Sequence, residues 1–105
     1  MFVQGPPHAE LRRIYLGASA VVFPSRFEGL GIPVLEAARL GKRIVTSRLE
    51  VFDEVGVPRH FQIDFADPES LLRALRNKGP SALEKVPLSW RECAQMTLDV
   101  LRRAV

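Results

Sequence analysis

Apolar residues recur along the chain in two alternating rhythms. After the short extended run Phe2–Gln4 and the break at Gly5-Pro6-Pro7, Leu11, Ile14, Tyr15 and Ala18 stand at i, i+3, i+4 and i+7, which predicts a helix from about His8 to Ala18. Ala20-Val21-Val22-Phe23 is then a continuous apolar run closed by Pro24-Ser25, the pattern of a strand covered on both faces. A polar, glycine-containing loop follows. Pro33 suits the first turn of a second helix, where its missing N–H is no loss, and Val34, Leu35 and Ala38 give that helix a buried side before Gly41 stops it.

The rhythm repeats. Ile44–Thr46 reads as a strand, Glu50–Val55 as a short helix and Phe61–Ile63 as a further strand. Asp67-Pro68 is a helix N-cap followed by proline at the first helical position, and Leu71, Leu72 and Leu75 supply that helix with its stripe. Residues 78–88, with Gly79, Pro80 and Pro87, read as a linker within a single domain spanning 1–105. Ser89 and Glu92 form a capping box for a final helix over 89–103, whose face carries Trp90, Cys93, Ala94, Thr97 and Leu101. Strands alternating with helices imply an α/β fold: consecutive right-handed crossovers, a parallel sheet and helices on both of its faces, making three layers. Such sheets bind ligands at the carboxyl ends of their strands, which gathers Ser25, Arg26, Glu28, Ser47, Arg48 and Asp64 along one edge.

Composition narrows the function classes. The 105 residues are 47% hydrophobic and 26% charged, a globular balance. No run approaches the roughly 18–20 apolar residues needed to span a bilayer, and residues 1–5 carry no basic leader, so the expected location is the cytoplasm. The net charge of +3 leaves a peripheral position at the inner membrane face open through attraction to anionic headgroups. Twelve of the fifteen basic residues are arginines, scattered and without interleaved aromatics, so no nucleic-acid stripe is present. The single cysteine, Cys93, excludes an internal disulfide and falls on the apolar side of its helix, as a buried structural thiol would. His8 and His60 have no ligand-spaced companions, so neither a metal site nor a metal cofactor is expected. Trp90 reads as a core anchor for the last helix.

The chemistry concentrates in Pro24-Ser25-Arg26-Phe27-Glu28-Gly29-Leu30-Gly31-Ile32-Pro33, where two glycines and a carboxylate separate a strand from a helix N-terminus. Free N–H groups and the helix dipole make such a terminus an anion site, and glycine lets a phosphate come close to the main chain. The residues alone leave a second account open, in which Gly29 and Gly31 only supply positive φ for a tight turn. Glu36 lies within the following helix, so its carboxylate projects near the mouth rather than beside Glu28. A carboxylate accepts two hydroxyl hydrogen bonds from a sugar ring readily. As surface residues, Glu28 would complement the helix dipole and Glu36 would be a solvated helix side chain.

The run Glu10–Tyr15, Ala20–Pro24, Ser25, Glu28-Gly29-Leu30-Gly31, Pro33, Leu35-Glu36-Ala37 and Gly41 resembles the donor-binding domain of family 4 retaining glycosyltransferases with the GT-B fold. The likeness continues through Asp53-Glu54-Val55-Gly56, the Asp67-Pro68 helix start and Ser89-Trp90. It implies a Rossmann-like unit forming the later part of a GT-B carboxy-terminal domain, and transfer of a hexosyl or mannosyl group from a nucleotide-diphosphate sugar with retention, without metal or other cofactor. Glu28 would be the catalytic-site residue, contacting hydroxyls of the transferred sugar and orienting it for a front-face departure assisted by the diphosphate. Gly29, Leu30 and Gly31 would lie against the sugar and diphosphate, and Glu36 would bind the ribose hydroxyls.

One departure is Arg43, which stands where a proline is common in the family, at the entry to a strand. A second is that the family's acceptor domain, and its arginine and lysine that neutralise the diphosphate, have no counterpart in these residues. The expectation is therefore a fragment that binds a donor and turns over little alone. The alternative is a non-enzymatic α/β interaction module, completed by a partner chain or by a second copy through an exposed Phe2-Val3 strand and the apolar last helix.

Overall fold

The structure, a computed structural model, describes residues 4–79, 83 and 89–104. In chain order these form α1 (His8–Gly17), β1 (Ala20–Phe23), α2 (Ile32–Arg39), β2 (Arg43–Ser47), α3 (Glu50–Glu54), a 3₁₀ turn (Arg59–Phe61), β3 (Gln62–Ile63), α4 (Pro68–Arg76) and α5 (Trp90–Arg103). The strands make one parallel sheet in the order β1-β2-β3, with Phe23 opposite Thr46 and Thr46 opposite Gln62. The molecule is thus an α/β, Rossmann-like unit in which β2 is central and all three strands end at the same edge. Phe2 and Val3, and most of the expected linker, lie outside the described residues.

Burial centres on β2 and the segments that follow it. Ile44, Val45, Phe52, Val55, Val57, Phe61 and Ile63 are buried, joined by Val34 and Ala37 from α2 and Ala74 from α4. α2 needs its glycine neighbours: Gly31, its N-cap, has φ 76°, and Gly41 just beyond it has φ 65°. Two basic side chains tie helix ends to the sheet. Lys42 Nζ donates to the carbonyl oxygens of Leu16 and Ala18 at 2.7 and 3.1 Å, meeting the negative end of α1. Arg43 Nη1 donates to the Leu75 carbonyl oxygen at 2.8 Å and its guanidinium lies 5.9 Å from the centre of the Phe61 ring. Arg43 therefore fastens the end of α4 to β2, which a proline there would not do.

Several expectations are corrected. Among the described residues β1 is paired on one side only, and Val22 is exposed rather than covered on both faces. Phe61 closes a 3₁₀ turn, its N–H donating to the Pro58 carbonyl oxygen, and the strand begins only at Gln62. In α4, capped as expected by Asp67 accepting from the Glu69 N–H, the buried positions are Ser70 and Ala74, while Leu72 and Leu75 are exposed. Small residues let that helix approach the sheet closely, so its leucines flank the contact. α5 is capped by Ser89 as expected, but it buries no residue: Trp90, Cys93, Ala94, Thr97 and Leu101 are all exposed. Neither a core tryptophan nor a buried thiol is present there.

Candidate functional site

The carboxyl ends of the strands open into a crevice of about 600 Å³, lined by Pro24, Ser25 and Arg26 after β1, Ser47, Arg48 and Leu49 from the end of β2, and Ile63–Ala66 from the end of β3. Five of the six residues expected at this edge line it. The sixth, Glu28, joins it through a hydrogen bond: Ser25 Oγ donates to Glu28 Oε1 at 2.9 Å. Ser47 Oγ in turn donates to the Ser25 carbonyl oxygen, so the β1 and β2 loops are stitched together beneath Glu28. On the far wall Asp64 Oδ1 accepts from the Ala66 N–H at 2.9 Å, and Arg48 Nε donates to the Gln62 carbonyl oxygen at 3.4 Å.

The two glycines of the bend differ. Gly31 is buried, left-handed, and so close to the core that a Cβ there would meet the Phe52 ring at 3.1 Å. Its glycine is required by the fold itself. Gly29 is exposed, has no positive φ, and a Cβ there would meet nothing within 4 Å. The turn account therefore covers Gly31 and not Gly29, which lies open to solvent. Leu30 is also exposed, with Phe27 and Ile32, and no side chain caps the first turn of α2.

Glu36 stands apart from Glu28. It lines a second cavity of about 220 Å³ between α1 and α2, with His8, Leu11, Arg12, Tyr15, Arg39 and Leu40. Tyr15 is the neighbour that sequence reasoning placed only on a helix stripe. Its phenol is pushed above its ordinary pKa, chiefly by burial and further by the charge and hydrogen bonding of the Glu36 carboxylate beside it. The signal in the sequence was a single tyrosine on the face of α1 that α2 must pack against; what hid it was that both helices had to be oriented first. Among the described residues, no group of three or more histidine, cysteine or acidic side chains is placed to hold a metal, and no helix is long and apolar enough to cross a membrane.

The family model described as glycosyl transferases group 1 matches residues 1–78, which carry this whole arrangement. The chain belongs to the group 1 glycosyl transferases. Among curated proteins, it is 34% identical over 119 aligned positions to a D-inositol 3-phosphate glycosyltransferase of Saccharomonospora viridis, covering 95% of the chain and 27% of that protein. It is 39% identical over 107 positions to O-antigen chain mannosyltransferase B of Escherichia coli, covering 91% and 28% respectively. With the O-antigen chain mannosyltransferase RfbU of Salmonella typhimurium it shares 35% identity over 68 positions, covering 65% and 19%. The chain thus spans about a quarter of the length of the curated relatives it matches. No solved structure matches it significantly.

Proposed function

We propose that the chain forms part of the nucleotide-sugar-binding half of a sugar transferase that acts with retention, on a hexosyl or mannosyl donor. The observation that carries this reading is the placement of two carboxylates on either side of an open glycine bend at the start of α2, one at the strand-end crevice and one in the α1–α2 cavity. Glu36 is proposed to accept the two ribose hydroxyls. The exposed main chain at Gly29 and Leu30, with Gly31 and the uncapped first turn of α2, is proposed to face the diphosphate and sugar. Glu28, oriented by Ser25, is proposed to hold hydroxyls of the transferred sugar, so that the leaving diphosphate departs along a fixed direction. Transfer also requires cations that neutralise the leaving group and a surface for the acceptor, which further polypeptide is proposed to provide. The names of the relatives support sugar transfer and a mannosyl or inositol-phosphate setting.

Titration of the chain with uridine and guanosine diphosphate sugars tests this. A carboxylate accepting two hydroxyls contributes roughly 1.5–3 kcal/mol, so Glu36→Ala is expected to weaken saturable binding by about 10- to 100-fold. Binding unchanged by that substitution, or no saturable binding, overturns the donor-pocket reading. The second reading, a module completed by a partner chain or another copy, is favoured by the apolar side chains exposed along α5, including Trp90, Met96, Val100 and Leu101. A monomeric mass by sedimentation across micromolar to millimolar chain concentration would remove its self-associating form.

A further inference from the structure

Two arginines that the transferase reading leaves without a role line the strand-end crevice. Arg26 lines one wall and, among the described residues, its side chain meets no acceptor; Arg48 lines the next and is held only through Nε, on the Gln62 carbonyl oxygen. Among the described residues its two terminal nitrogens meet no acceptor. The single acid on the lining is Asp64, one oxygen of which is already engaged by the Ala66 N–H. Ser25 and Ser47, which fix the wall between them, use their hydroxyl hydrogens on Glu28 and on the Ser25 carbonyl oxygen. The lining residues thus carry two guanidinium groups against one carboxylate, with the Glu28 carboxylate held by Ser25 at the edge. Guanidinium forks match the paired oxygens of carboxylates and phosphates, and bind them through short, charge-assisted hydrogen bonds.

We infer that Arg26 and Arg48 form an anion subsite that receives a carboxylate or phosphate monoester. Ser25 is shared between this crevice and Glu28, so the subsite begins where the proposed sugar position ends. The acid is then carried either on the transferred sugar or on the acceptor that approaches it. That choice of source rests on the transferase reading; the subsite itself does not.

The probe is inorganic phosphate, followed by amide NMR on the full chain at low chloride. Shifts confined to residues 24–26, 47–49 and 63–66 are expected, and their loss in Arg26→Gln and in the Arg26→Gln/Arg48→Gln pair. Among the described residues Arg26 makes no hydrogen bond or ion pair that the substitution would remove, so the single variant stays informative even if the pair is less stable. Absence of those shifts, or shifts unchanged by Arg26→Gln, overturns the subsite. Glucuronate-bearing and glucose-bearing uridine diphosphate then separate the sources. A preference of about tenfold for the acid sugar that Arg26→Gln removes places the acid on the donor. Equal binding of the two, with Arg26-dependent binding of glucose 6-phosphate and none of glucose, places it on the acceptor. Glu36→Ala keeps the two readings apart: it is expected to weaken the nucleotide sugars while leaving the phosphate shifts intact. Loss of the first effect alone removes the donor pocket, and loss of the second alone removes the anion subsite.

Discussion

The segment from β2 to β3 and the helix α5 are both rich in apolar residues, yet one is dense core and the other buries none of its own residues. Ile44, Val45, Phe52 and Phe61 are at most 1% exposed, whereas Trp90 is 90% exposed and Val100 64%. Periodicity marks which face of an element is apolar; it does not identify what that face meets. For the β2–β3 segment the partner is supplied by connections of a few residues, so local sequence already implies contact. For α5 it is not, and a sound amphipathic pattern led to a buried Trp90 and Cys93 that the structure does not show.

The largest effect expected on the dense side is at Phe52. Its fully buried ring also lies against Gly31, so Phe52→Ala should remove about 3–5 kcal/mol, a large part of the stability of a domain this size. Urea denaturation of Phe52→Leu, which retains more of the volume, should fall between the two. Because the ring supports the bend, the alanine variant should also weaken any ligand at Gly29 and Leu30. A loss below about 1 kcal/mol would mean that this segment is not the core.

Next in size is Gly31→Ala. Left-handed backbone costs a side chain roughly 1–2 kcal/mol, and the 3.1 Å approach to Phe52 adds to it. Gly29→Ala should stay within about 0.5 kcal/mol of the parent, since its Cβ enters open space. Any loss of nucleotide-sugar binding in Gly29→Ala would therefore report ligand contact rather than folding. Equal destabilisation by the two substitutions would contradict the geometry of the bend.

This pair also shows how much of the site was legible. The strand–glycine loop–helix order, the crevice residues Ser25, Arg26, Ser47, Arg48 and Asp64, and the caps at Asp67 and Ser89 follow from local rules, and the structure places them as expected. Which glycine serves the backbone and which leaves it open depends on where Phe52 packs, a contact between residues distant in sequence. The pairing of Tyr15 with Glu36, the hold of Arg43 on α4 and the burial of Ser70 and Ala74 instead of leucines depend likewise on how helices settle on the sheet. Residue type and spacing carry the first kind of information and not the second.

Tyr15 allows a smaller test, because it is the only tyrosine and its ionisation can be followed by ultraviolet absorbance. Its pKa is raised in the folded chain, by burial first and by Glu36 after it. The unfolded chain then releases this proton at lower pH than the folded one. The contribution is complete below the ordinary tyrosine value of about 10 and is lost as pH rises through the folded value. Glu36→Gln should bring the Tyr15 titration down part of the way, leaving the shift due to burial. An unchanged titration would mean that the Glu36 carboxylate does not act on the Tyr15 phenol.

The smallest effects are expected along α5, and they bear most directly on why the two regions differ. Leu101 is 56% exposed, and alanine is the stronger helix former. In an isolated chain Leu101→Ala should therefore change stability by no more than about 0.5 kcal/mol, in contrast to the several-fold larger loss at Phe52. Thermal melts at low and high chain concentration decide what this near-neutrality means. If the melting temperature of the parent is independent of concentration and Leu101→Ala matches it, α5 is uncovered in the isolated chain. If the parent melts higher at high concentration and Leu101→Ala abolishes that gain, a second copy covers the helix, since only association makes stability depend on concentration. The contrast between the two regions would then lie between a core closed within one chain and a core closed between two.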